Sequence, residues 1–232
     1  MDLGFDKAQS AYLRMKAALL QHRTPAGTFL NIRSIAEKLR VSATPIREAL
    51  IRLADEEIIE FVSGRGFYAK SIKIADLRAE YEMAFVIAKH AIEKNLVAYD
   101  RVTAVTDARP LSPGTADTEK ITDAEHPAFY IEGIYERISM LSGNARMVRA
   151  TRRFNEHTHF IRRFGLVTMP GYVDVLSEMT RLEDFLRTGD QACALDALAR
   201  QYHAKDKMLE DVVQQFEFAK ETARIRFEGL LD

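Results

Sequence analysis

The sequence predicts a mainly α protein in two parts, a small helical module closed by a β-hairpin over residues 1–74 and an all-α helical bundle over 75–232. Three observations carry this. Apolar residues recur at helical spacing almost throughout. A single pair of short apolar runs, around Ser63-Gly64-Arg65-Gly66, breaks that rhythm early in the chain. Charge divides at the same place: residues 1–75 hold 12 Lys and Arg against 8 Asp and Glu, and the remainder holds 21 against 26. A basic first part on an acidic second suggests that only the first meets a polyanion.

The elements follow in order. A helix from about Lys7 to Gln21 carries Tyr12, Met15 and Leu19 on one face, and Thr24-Pro25-Ala26-Gly27 ends it. A short helix over Ile32–Leu39 presents Ile35, Ala36 and Leu39, and Arg40-Val41 is a tight turn. A second helix over Ser42–Ala54 buries Ile46, Ala49, Leu50 and Leu53, with Ser42 or Thr44 as its cap and Pro45 just inside. Strands at Ile58–Val62 and Phe67–Ala69 flank a turn whose glycines supply positive φ. Helix, helix, turn, helix, hairpin is the order of a winged helix-turn-helix.

Beyond Ile74 the pattern is helical: Leu77–Tyr99, a shorter helix within Arg101–Val105 or Thr115–Ile121, Pro127–Leu141, Ala145–Phe164, Val173–Thr188 and Gln191–Leu230, the last broken near Glu217. Arg109–Gly114 reads as a loop, and Asn144 and Asp190, each after a glycine, read as caps. One cysteine, Cys193, excludes an internal disulfide and a thiolate metal cluster. No apolar run is long enough for a membrane span and no secretory leader is visible, so the expected compartment is the cytoplasm. No nucleophilic triad, phosphate loop, redox pair or zinc motif argues for an enzyme, and no cofactor is expected.

Ser42-Ala43-Thr44-Pro45-Ile46-Arg47-Glu48-Ala49-Leu50, then Leu53 and Gly64-Arg65-Gly66, closely resembles the GntR family signature, with Pro25-Ala26-Gly27 and Ile35–Leu39 at the expected distances upstream. The resemblance covers roughly residues 10–70. It implies a DNA-binding transcriptional regulator whose recognition helix enters the major groove. The DNA-contacting residues it implies are Arg33, Ser42, Thr44 and Arg47, with Ser63, Gly64, Arg65 and Gly66 in the wing. Ala43 stands where relatives often carry a base-reading basic residue, so their operator sequence does not transfer.

The helical remainder resembles the FadR-type branch and its FCD effector domain, through its helical order, Ser142-Gly143-Asn144, and Gly189-Asp190 before Ala194. That resemblance implies a divalent metal on one aspartate and three histidines. The corresponding positions here are Ile131, Tyr135, Met179 and Gln201, none of them a match, and Ala84 replaces an effector-binding arginine. No metal is therefore expected. His157 and His159 lie two apart, about 200° around a helix, and cannot both face one ion. A small-molecule pocket is expected instead, lined by Tyr135, Thr151, Asn155, His159, Met179 and His203, with Tyr202 as an alternative. Arg149, Arg152, Arg153, Arg162 and Arg163 read as a solvated face or dimer contact, recognition of an acidic effector being the other reading.

These features point to a homodimer that binds an inverted-repeat operator and answers to a metabolite, an organic acid being the favoured class. The rival readings are a DNA-binding dimer whose helical domain takes no ligand, and a helical enzyme domain.

Overall fold

The computed structural model describes residues 3–107, 125–223 and 227–231. They form two compact units: residues 1–73 with 215–232, and residues 74–214. The single boundary expected near residue 74 left the C-terminal segment with the helical bundle, whereas 215–232 group with the N-terminal unit.

The N-terminal unit runs α1 (Leu3–Leu20), α2 (Ile32–Leu39), α3 (Ala43–Asp55), β1 (Ile59–Val62) and β2 (Gly66–Ala69). Asn31 caps α2, its side-chain oxygen accepting from the amides of Arg33 and Ser34 at 2.9 and 3.2 Å. The helix ends at Arg40, whose left-handed backbone (φ 55°) lets the Val41 amide reach the Ala36 carbonyl and the Arg40 amide reach that of Glu37. This is the tight turn of the helix-turn-helix. Ser42 occupies the cap position of α3 in extended conformation, but its side chain makes no capping hydrogen bond. The α3 terminus repeats the device used by α2, with Glu57 left-handed and the Ile58 amide bonded to the Leu53 carbonyl.

β1 and β2 pair antiparallel in the register Ile59 to Ala69 and Val62 to Gly66. The segment after α1 joins the edge of this hairpin: the Leu30 amide donates to Phe67 and the Ala69 amide to Thr28. The core gathers Tyr12, Met15 and Leu19 of α1, Ile35 of α2, Ile46, Leu50 and Leu53 of α3, and Phe67. It is completed by Phe227 and Leu231 from a short 3-10 turn, Phe227–Leu230, and the residue after it. The Arg14 guanidinium donates to the Leu231 carbonyl. Across the α1–α3 seam, Tyr12 donates to Glu56 at 2.6 Å while the Arg52 guanidinium stacks 3.6 Å above the Tyr12 ring. Burial alone would raise the Glu56 carboxyl, but the hydrogen bond from Tyr12 and the ammonium of Lys16 hold it below its ordinary value.

The helical unit comprises α4 (Ile74–Asn95), a 3-10 turn (Leu96–Ala98), α5 (Tyr99–Asp107), α6 (Glu125–Leu141), α7 (Ala145–Thr168), α8 (Tyr172–Thr188) and α9 (Gln191–Ala223) up to residue 214. Expectation and structure differ at two places. The helix expected to run to Tyr99 stops at Asn95, whose backbone (φ −159°, ψ 48°) breaks it before α5. α9 continues through Glu217, where no glycine or proline interrupts the backbone ladder. The alternative helix at Thr115–Ile121 and the loop at Arg109–Gly114 lie outside the described residues. Asn144 caps α7 by accepting from the Arg146 amide, and Asp190 accepts from the Cys193 amide at the start of α9.

Among the described residues no helix is long and apolar enough to cross a membrane. A buried ionic knot ties α5, α6 and α8: Arg137 and Arg187 donate to Glu183 at 2.8 and 3.0 Å, and Tyr130 at 2.7 Å. Burial would raise the Glu183 carboxyl, yet the Tyr130 hydrogen bond and the Arg137 charge keep it lowered. The Tyr99 phenol, desolvated in the same knot, is pushed up to about 12.

Candidate nucleic-acid interface and buried polar site

α3 divides cleanly. Ile46, Ala49, Leu50 and Leu53 are buried, which turns Ser42, Thr44 and Arg47 outward. Thr44 and Arg47 are one turn apart on this exposed face. Arg33 is exposed near the start of α2, just beyond the Asn31 cap. Ser63, Gly64 and Arg65 are exposed at the hairpin tip, where the Arg65 amide closes the turn on the Val62 carbonyl at 2.9 Å. Gly64 and Gly66 adopt φ of 73° and 107°, conformations that carry little cost only without a Cβ. At Gly66 there is a second constraint: a Cβ would lie 2.9 Å from the Phe29 ring, which packs over the wing. Every DNA-contacting residue expected from the sequence is thus exposed except Gly66, which is half-buried. Asn31 and Phe29, which brace α2 and the wing, escaped the sequence reading, although an Asn directly before Ile32 was a usable signal.

The interior of the helical unit holds a second concentration of polar groups. α7 lines up Thr151, Phe154, Asn155, Thr158 and Arg162 on one buried face. Arg162 is 0% exposed and pairs with Glu132 of α6 while donating to Thr158 at 2.8 Å. Its place in a solvated arginine face is therefore corrected: 30 residues away in sequence, Glu132 supplies the counter-charge that admits it to the interior. Arg152, by contrast, stays half-exposed and reaches Glu136 at 2.7 Å. Asn155 donates to the Glu132 carbonyl and His159 meets the Glu132 carboxylate at 2.8 Å while stacking on Phe129.

Of the pocket residues expected, Tyr135, Thr151, Asn155 and Met179 are buried and His159 is half-buried, whereas His203 is exposed. Gln201 and Lys205 occupy the buried face of α9, and a residue two positions from either points away from it. At the positions where the family resemblance implied metal ligands, Tyr135 and Gln201 hydrogen-bond each other at 2.9–3.0 Å between apolar Ile131 and Met179. His157 binds Glu80 and so does not join His159 on one partner. Lys205 was missed by the sequence reading. It is 4% exposed, and its ammonium lies 5.6 and 5.3 Å from the Tyr81 and Tyr135 ring centroids.

Residues 7–69 match the family described as bacterial regulatory proteins, gntR family. The Nta operon transcriptional regulator of Aminobacter aminovorans is 27% identical over 147 residues, which span 62% of this chain and 68% of that protein. Among solved structures, the fold is shared with a protein of Rhodococcus sp. RHA1 assigned as a transcriptional regulator GntR (TM-score 0.63, 14% identity, 89% of this chain and 98% of that one). It is also shared with E. coli McbR/YncC (TM-score 0.56, 15% identity, 90% and 98%). Residues 7–69, which match that family, fold as a winged helix-turn-helix, so this part of the chain is a gntR-type DNA-binding module.

Proposed function

We propose that this regulator binds an inverted-repeat operator as a homodimer and releases or engages it in response to a small organic acid held in the helical unit. The observation that carries the DNA half is the exposure of Thr44 and Arg47 on α3, together with that of Arg33 on α2 and Arg65 at the wing tip. A guanidinium fork at the start of a recognition helix suits guanine O6 and N7 or a backbone phosphate. Two linked copies would raise affinity by effective concentration, which favours a two-fold operator. In this reading Ser42, Ser63, Gly64 and Gly66 bring the backbone close to phosphates, and Arg33 and Arg65 flank the groove.

The test is a gel-shift titration on operator DNA. Arg47→Ala should weaken binding by about 1–3 kcal/mol per half-site, and raised salt should weaken the parent steeply through counterion release. Unchanged affinity in that variant would remove α3 from the role of recognition helix.

The helical unit is read as an FCD-like effector domain of the FadR-type branch that works without the family's metal. The support is chemical: Ile131 and Met179 offer no ligand to a hard cation, and Tyr135 and Gln201 satisfy each other. Dialysis against a chelator should leave both operator affinity and melting temperature unchanged. A drop in either, restored by zinc, nickel or manganese, would overturn the metal-free reading. The relative from Aminobacter is named for an operon, and we read the same kind of role here. The rival without a ligand predicts that no metabolite alters operator affinity.

A further inference from the structure

Buried polar atoms in folded proteins are almost always hydrogen-bonded, so a cluster that is not calls for an explanation. In the helical unit the Lys205 ammonium, the Tyr81 hydroxyl, the Thr151 hydroxyl, the Asn155 carbonyl oxygen and the Arg162 Nε are all buried without a hydrogen-bond partner. They come from α4, α7 and α9, and aromatic contacts bring these helices and α6 together. Phe154 of α7 is met edge-on by Tyr81 of α4 at 5.2 Å and by Tyr135 of α6 at 5.4 Å, and Lys205 of α9 lies over both tyrosine rings. Arg162 lies 5.5 Å from the Phe154 ring.

The charges there do not balance. Among the described residues, the carboxylate whose charge acts on Lys205 is that of Glu132, which is already engaged by Arg162 and His159. Tyr81 and Tyr135 contribute only neutral phenols, both pushed up first by burial. With Arg162 already on that carboxylate, a protonated Lys205 would be left without a counter-ion of its own. Burial, and the repulsion of Arg162, hold the Lys205 ammonium well below its ordinary value, the expected response of a lysine without a counter-ion.

We propose that Lys205, assisted by Arg162, binds the carboxylate of the organic-acid effector directly, with Tyr81, Thr151 and Asn155 hydrogen-bonding the polar groups of the same molecule. This rests on the reading that the helical unit takes a small organic acid, and it assigns the residues that hold it. An ammonium in hydrogen-bonding reach of a carboxylate supplies the charge-assisted contact that a metal would otherwise provide. Asn155 gives one amide N–H to the Glu132 carbonyl and keeps its oxygen unpartnered, and that oxygen selects a donor on the ligand. Thr151 and Tyr81 offer hydroxyls that serve either way.

The experiment uses the full-length chain and thermal unfolding with acetate, benzoate, succinate and citrate at millimolar concentration. Benzamide and succinamide serve as neutral counterparts, inorganic phosphate as the non-carboxylate anion, and a general panel of neutral metabolites runs beside them. At least one carboxylate should raise the melting temperature of the parent while its amide does not, since ligand binding to the folded state stabilises it. Lys205→Met should weaken that carboxylate by roughly tenfold or more in calorimetry. Parent binding should take up a proton, seen as a heat that depends on buffer ionisation, and Lys205→Met binding should not. The variant will fold, because it removes an uncompensated buried amine. Without any probe it should melt higher than the parent near neutral pH. That gain should shrink as pH rises toward the lysine pKa of the unfolded chain, where the amine loses its proton in both states. Thr151→Val is a second variant that should weaken the carboxylate without changing proton uptake.

Phosphate binding as well as any carboxylate, or a carboxylate binding Lys205→Met as tightly as the parent, would overturn the assignment. If a neutral metabolite stabilises both proteins equally, the small-molecule reading stands and the carboxylate site falls. If neither carboxylates nor neutral metabolites shift the parent, both are wrong.

Discussion

Truncating Phe227 to alanine is expected to destabilise the DNA-binding unit by about 3–5 kcal/mol, the usual cost of removing a fully packed aromatic ring. Phe227 is 2% exposed and sits in the same core as Met15, Ile35 and Leu50, more than 170 positions away in sequence from the nearest of them. Urea unfolding followed by hydrogen exchange would localise the loss. Protection should fall in α1, α2 and α3, and operator affinity should fall with it. Exchange that weakens only between residues 214 and 231 would show that the C-terminal turn lies on this core without supporting it.

The second large effect belongs to the buried ion pair of the helical unit. Glu132→Ala should cost about 3–5 kcal/mol, because it leaves the Arg162 guanidinium, 0% exposed, without its carboxylate. It also removes the carboxylate that His159 meets and whose charge acts on Lys205. Replacing the pair together, Glu132→Leu with Arg162→Met, should be far milder, since an apolar pair of similar volume carries no desolvation penalty. Chemical denaturation of the two single variants and the double variant closes a mutant cycle. Additive losses would mean that the two groups do not depend on each other.

Much of the architecture was readable in the residues because periodicity reports burial along one element. The stripe Ile46, Ala49, Leu50 and Leu53 oriented α3 and thereby the outward side of Arg47. The glycines at 64 and 66 placed the wing, because their positive φ is a local demand that sequence declares openly. The interior polar site was harder to read. Arg162 sits in an arginine-rich run that looks solvated, and only a glutamate on another helix explains its burial. On α9, Tyr202 and His203 attracted notice as chemistry-bearing types, yet the buried face passes through Gln201 and Lys205. A helix with charged residues on every side hides which of them turn inward. Phe227 and Leu230 looked like the end of a long helix, since nothing local distinguishes a helical residue from one docked in a distant core.

That C-terminal turn also orders events during synthesis. The N-terminal unit draws its last core residues from positions 227 and 231, so it cannot finish packing when residue 73 leaves the ribosome. At ordinary elongation rates the missing residues arrive on the order of ten to thirty seconds later, after the intervening helices have been made and can fold. Joining the ends of so long a loop costs entropy that local contacts do not repay, which makes this closure a late step. A nascent chain would therefore carry its helical unit in finished form before its winged helix is complete.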